Sequence, residues 1–150
     1  MLPELTKFRV INCVSQEALA RLRSFLNDNG FSIFELDGTK IDDAPSFFIE
    51  SAKKLPQDPS LSGNVNWDAF IDSIWGGLAE LGKERVAFIW TNAQRMLEHG
   101  LQDLLTANGC LEHIASTMNT TKYGISRPVK LLVFLVGEGN NFKQLEAVER

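Results

Sequence analysis

Val129 to Val136 is almost uninterrupted apolar sequence, broken only by Lys130. A strand that is apolar on both of its faces belongs where both faces are covered, at the centre of a parallel sheet. The run from Leu131 to Val136 is far too short to span a membrane. Three further segments read as strands: Phe8 to Val14, Phe31 to Leu36 and Val86 to Trp90, each rich in β-branched or aromatic residues. Helical patterns fill the intervals. Strand and helix therefore alternate, which predicts an α/β domain with a parallel sheet joined by crossovers.

The helices carry their own signals. Ser15 reads as an N-cap, with Val14 and Leu19 placed for a hydrophobic staple, and Asn29-Gly30 closes the helix that follows. Asp43 precedes Ala44-Pro45, a helix start with proline in its first turn. Phe47, Phe48, Ala52 and Leu55 give that helix its expected buried side. Pro56 to Asn64 is a loop rich in Pro, Ser, Gly, Asp and Asn, suited to a binding rim. Helical pattern returns from about Gln94 to Ala107, is expected to stop near Asn108-Gly109, and resumes from Leu111 to Met118. The polar tail from Gly137 is expected at the surface.

Several functions are excluded by content. Fifteen Lys+Arg against nineteen Asp+Glu give a net charge of −4 over 150 residues, the wrong sign for gripping nucleic acid and a better match to a basic protein partner. Cys13 and Cys110 have no metal-ligand spacing and read as reduced thiols of a cytoplasmic protein. Met1 to Glu4 shows no basic region leading into an apolar run, so no signal peptide is expected. Gly137-Glu138-Gly139 lacks the third glycine of a dinucleotide fingerprint, since that position is Phe142. His99 and His113 are isolated and read as partly buried, hydrogen-bonding residues. Trp75 and Trp90 read as core. No cofactor or metal is expected, and no nucleophile, base and oxyanion set accompanies any acid to suggest an enzyme.

The most informative stretch is Asn66 to Leu78. Asn66 is a good N-cap, with Val65 and Phe70 in staple positions. Trp67, Phe70, Ile71, Ile74, Trp75 and Leu78 repeat at helical spacing and predict one buried stripe. Asp68 and Asp72 stand one turn apart on a neighbouring face, with Cβ atoms about 6 Å apart, near enough to meet one cationic site together. Gly76 and Gly77 follow, where missing side chains let another chain approach the backbone. A simpler reading also holds: the helix dipole favours Asp68, and Asp72 is a solvated surface acid. Against it, like charges four residues apart destabilise a helix by about 0.2–0.5 kcal/mol. No Lys or Arg lies within this helix to offset them.

Asn66-Trp67-Asp68-Ala69-Phe70-Ile71-Asp72 resembles the central motif of the barstar family of ribonuclease inhibitors, Gly-x-Asn-x-Asp-Ala-Leu-x-Asp. The surroundings agree. An Asp37-Gly38-Thr39-Lys40-Ile41 turn and a helix ending at Leu55-Pro56 precede it; Phe88-Ile89-Trp90 and Leu131 to Val136 follow where the family has strands. The likeness covers roughly residues 31–137, leaving residues 1–30 as an added strand and helix packed on a domain of residues 31–150. It implies a barstar-like parallel sheet of three to four strands with helices packed against it.

It also implies a cytoplasmic inhibitor, not an enzyme, that blocks a ribonuclease with its acidic helix and the preceding loop. The partner-binding residues would be Ser62, Gly63, Asn64, Asn66, Asp68, Ile71, Asp72 and Gly76, with Asp68 and Asp72 matching the family's two inhibitory acids. Departures from the pattern are Ser62 in place of an aromatic before Gly63, one extra residue between Gly63 and Asn66, Ile71 in place of an aromatic before the second acid, and Gly77 in place of a bulky residue. The alternative is a module that keeps the fold but binds a non-nuclease protein.

Overall fold

The structure, a computed structural model, describes residues 8–139 and residue 142. The expectations for residues 1–4 and for most of the tail lie outside the described residues. Four strands, β1 (Ile11–Ser15), β2 (Ser32–Asp37), β3 (Arg85–Thr91) and β4 (Lys130–Gly137), form one parallel sheet in the order β1-β4-β3-β2. The expected central strand is β4, paired on both sides, with Ile11 opposite Val133 and Phe88 opposite Val133 on the other flank.

The helices are α1 (Leu19–Asp28), α2 (Ala44–Lys54), α3 (Trp67–Leu81), α4 (Gln94–His99) and α5 (Leu101–Met118). Side chains alternate along a strand, so the apolar runs of β3 and β4 feed two cores. Val86, Phe88, Trp90, Leu131, Val133 and Leu135 pack with Phe47, Phe48, Phe70, Ile74, Leu78 and the buried stripe of α5. Ala87, Ile89, Leu132, Phe134 and Val136 meet Leu19, Leu22 and Leu26 of α1 on the opposite face. Phe8 closes that second core edge-on to Phe25 and Phe134. Arg23 forks onto Glu35 at 2.7 and 2.8 Å, tying α1 to β2.

Several local expectations need correction. Ser15 ends β1 and caps nothing with its side chain; a turn of 3-10 helix at Gln16–Ala18 leads into α1. On α2, Ala52 is exposed, and Glu50 and Ser51 are buried instead. Glu50 accepts the Asp37 backbone N–H at 2.8 Å and sits 3.5 Å from Lys54, which makes a buried acid tenable there. The break in the long helical stretch falls at Gly100, not at Asn108-Gly109. A Cβ at Gly100 would lie 2.7 Å from the Asp42 carbonyl oxygen. Leu104, Ala107, Leu111, Ile114 and Met118 form one buried stripe straight through residues 108 and 109, so packing overrides the turn preference. Phe142 is buried, so the segment after Gly137 returns at least once to the core.

The α2 start is held twice. Asp43 accepts from the Ser46 backbone N–H at 2.9 Å and hydroxyl at 2.7 Å, and Asp103 of α5 accepts from the Ala44 N–H at 2.9 Å. The two Ser46 bonds hold the Asp43 carboxyl below the usual carboxylate range. Its contribution is therefore present above the ordinary aspartate value and is lost as pH falls through the lowered folded value. Asp43→Ala is expected to cost about 1 kcal/mol at neutral pH in urea unfolding. The variant and the parent should converge as the pH is taken below the carboxylate range.

Candidate functional site

Helix α3 is held by the core, by its own preceding loop and by α5, and leaves one face open. Phe70, Ile74 and Leu78 are buried in the core. Asn66 caps the start by accepting the Ala69 N–H at 3.0 Å, and Gly82, at φ 68°, ends the helix in the left-handed conformation. Val65, at the staple position, stays exposed.

A second face is made of small residues and seats the chain's own loop. The Asp58 N–H donates to the Ser73 carbonyl at 2.8 Å, and the Ser73 hydroxyl donates to the Pro59 carbonyl. Gln57 pins the loop from its other side: its amide donates to the carbonyls of Ala52 and Leu55, each at 2.9 Å, and its oxygen accepts the Leu61 N–H at 2.8 Å. A Cβ on Gly76 would sit 2.1 Å from the Asp58 oxygen, and one on Gly77 would sit 2.2 Å from the Gln57 nitrogen. The close approach expected at these glycines is thus real, but the approaching backbone is internal. Gly76 is a seat for the loop rather than an open contact surface. The base of the loop is fixed, and its tip, Ser62, Gly63 and Asn64, is exposed.

The third face carries the acids. Asp68 and Asp72 are both exposed, and among the described residues neither carboxylate joins an ion pair or accepts a hydrogen bond. Helical spacing puts them on a ridge, with the loop to one side and α5 to the other. The α5 side is marked by Cys110: burial pushes its thiol up, and the negative charge of Asp68 adds to the shift. Beside Asp72 a groove of about 240 Å³ is lined by Ile71, Asp72, Trp75, His113, Thr117 and Tyr123.

Trp90 is core, as expected, but Trp75 is only half-buried and faces this groove. His99 and His113 are exposed, and neither side chain forms a hydrogen bond among the described residues, so the expectation of buried, bonded histidines fails for both. Neither cysteine is in a disulfide. Among the described residues there is no cluster of potential metal ligands, and no helix is long and apolar enough to cross a membrane. The arrangement offers paired negative charge on a rigid rod, next to a small aromatic groove and an exposed polar loop tip. Sequence reasoning missed Gln57 and Ser73 as the loop's anchors and Tyr123 as a groove wall. The spacing of Ser73, Gly76 and Gly77 along one helix face was the available signal for the first two.

A four-stranded parallel sheet with helices packed against both faces defines an α/β protein. The pattern of the family described as Barstar (barnase inhibitor) matches residues 31–134, and the chain belongs to that family. No curated protein matches the chain.

The seat of the loop yields a stability contrast. Gly77→Ala forces a methyl group against the backbone of Pro56 and Gln57 and is expected to cost about 1–3 kcal/mol in urea unfolding. Gly63→Ala, at the open tip where a Cβ meets nothing within 4 Å, is expected to change stability by no more than about 0.5 kcal/mol.

Proposed function

We propose that this chain is a cytoplasmic protein inhibitor that binds a ribonuclease and covers its active site with α3 and the loop before it. The supporting observation is the pair of exposed, internally unpaired carboxylates of Asp68 and Asp72 in a chain of the Barstar family. A ribonuclease must hold phosphate, so its site concentrates Arg, Lys and His. Carboxylates on a stiff helix occupy the phosphate positions and take charge-assisted hydrogen bonds there. Opposite fields also speed the encounter.

Each proposed contact residue has a part in this reading. Asp68 and Asp72 supply the charge, and Asp72 dominates. Ser62, Gly63 and Asn64 lend the loop tip's polar groups. Asn66 fixes the helix start, Ile71 flanks the second acid, and Gly76 keeps the loop seated. The partner is basic, and residues 1–30 are an addition to the binding domain.

The test is binding to a panel of bacterial ribonucleases by calorimetry, with inhibition of RNA cleavage alongside. At least one enzyme is expected to bind and be inhibited, with affinity falling as salt rises. Asp72→Ala is expected to weaken binding on the order of 100-fold, about 3 kcal/mol, and Asp68→Ala about tenfold, at unchanged stability. Equal affinity for the parent and Asp72→Ala defeats the proposal. A folded chain that binds none of the panel supports the second reading, a module with a non-nuclease partner. The small polar tip Ser62-Gly63-Asn64 is the feature that favours it.

A further inference from the structure

We propose that the notch below the start of β1, between the first residues of β4 and the end of α5, binds a carboxylate carried on a small apolar body. Such a group arrives either as the C-terminal residue of a peptide or as a free branched-chain acid. The notch shares no residue with the groove beside Asp72. It forms where the chain before the family match meets the matched region: Phe8, Arg9 and Val10 line one side, and residues of α5 and β4 line the other. The inference stands on this notch alone and survives failure of the inhibitor reading.

The notch exists because β1 falls short of β4. Their first pair is Ile11 opposite Val133, so Lys130, Leu131 and Leu132 run on with no β1 residue beside them. Val133 donates its N–H to the Val10 carbonyl at 2.7 Å, and Lys130 donates to the Glu84 carbonyl at 2.8 Å on the other flank. Backbone groups along a strand of a parallel ladder turn to alternate flanks, so the Leu131 N–H turns toward the notch. The space is about 260 Å³, below the roughly 300–1,000 Å³ of cofactor sites, and suits a body the size of one side chain. Phe8, Val10, Val129, Leu131 and Leu132 make its walls mostly apolar.

Charge sets the other half of the ligand. Arg9 and Lys130 line the notch and no acid does, in a chain whose net charge is −4. The end of α5 lies alongside, at Ser116 and Asn119, and a helix C-terminus carries roughly half a negative charge. Two full cations exceed that, and the Met118 carbonyl at the same end already accepts the Val129 N–H at 2.7 Å. Lys130 is partly buried, forms no ion pair among the described residues, and stands opposite Arg85 across the β3–β4 ladder. Like charges directly opposite destabilise a sheet, so folding alone gives no reason for this lysine. A free phosphate has no apolar surface to cover these walls. A carboxylate on a branched stem takes charge-assisted hydrogen bonds from the cations and covers the walls with its body.

The experiment uses the full chain, ¹⁵N-labelled, at low salt and about pH 7, where carboxylic acids in general are ionised. The probes are N-acetyl-leucine, isocaproate, N-acetyl-leucinamide and acetate. The first two should shift the Leu131 and Leu132 backbone N–H signals saturably at about millimolar concentration, while the Trp75 indole stays still. The amide lacks the charge and acetate lacks the apolar body, so each should bind at least about five-fold more weakly. Lys130→Gln and Arg9→Gln should each weaken N-acetyl-leucine about five-fold, with an unchanged thermal midpoint to verify the fold. Tighter binding of N-acetyl-leucine than of isocaproate supports a peptide end as the occupant, and the reverse supports a free acid. No saturable shift at Leu131, equal binding of the amide, or unchanged affinity in both Lys130→Gln and Arg9→Gln overturns the proposal.

Discussion

Every residue of β4 from Leu131 to Val136 is buried, and so is every residue of β3 from Val86 to Trp90. Because side chains alternate across a pleated strand, such runs demand cover on both faces of the sheet. One face is covered by α2, α3 and α5, whose aromatic and aliphatic stripes share a single core with the sheet. The other is covered by α1, which reaches it because β1 pairs with β4. The family match begins at residue 31, so the cover on that second face comes from chain outside the matched region. Large side chains sit where the cover is thickest: Phe47 lies 5.0 Å from Trp90 and 5.3 Å from Phe70, ring centre to ring centre.

That core also decides how stiff the acidic helix is. α3 is clamped by Phe70, Ile74 and Leu78 beneath, by the loop over Ser73, Gly76 and Gly77, and by α5 along its length. A helix held on three sides presents its fourth face without rearranging, and a preorganised surface forfeits less entropy on binding than a mobile one. The loop is built to the same end. Gln57 and Ser73 fix its base, and only the tip beyond Leu61 is left to adapt.

Periodicity made the fold legible. The four strands, their parallel class and the central place of β4 follow from apolar runs whose meaning does not depend on distant residues. The acids were legible too, because their spacing and the N-cap at Asn66 are local. What was not legible depended on contacts made across the fold. Ala52 and Glu50 exchanged places because β2 brings the Asp37 N–H to Glu50. The helix break falls at Gly100, whose backbone is not helical (φ −150°, ψ 56°) and where Asp42, far away in sequence, leaves no room for a Cβ. Gly76 and Gly77 carried the right physical signal, a close backbone approach, but sequence alone does not say whose backbone comes near. Tyr123 looked like any turn residue until α3 and α5 were seen to leave a groove beside it.

The two acids are not equivalent in what the fold does with them. Asp68 lies in the first turn of α3, where the exposed N–H groups and the helix dipole favour negative charge, so local helix physics is sufficient to account for it. Asp72 lies a turn further on, where that field has decayed, and it carries the repulsion from Asp68 with no cation among the described residues to relieve it. It also lines a groove together with Trp75 and Tyr123. Folding does not reward Asp72, and the proposed binding role is what accounts for its place. The distinction between the two carboxylates therefore arises from position along one helix, before any partner is considered.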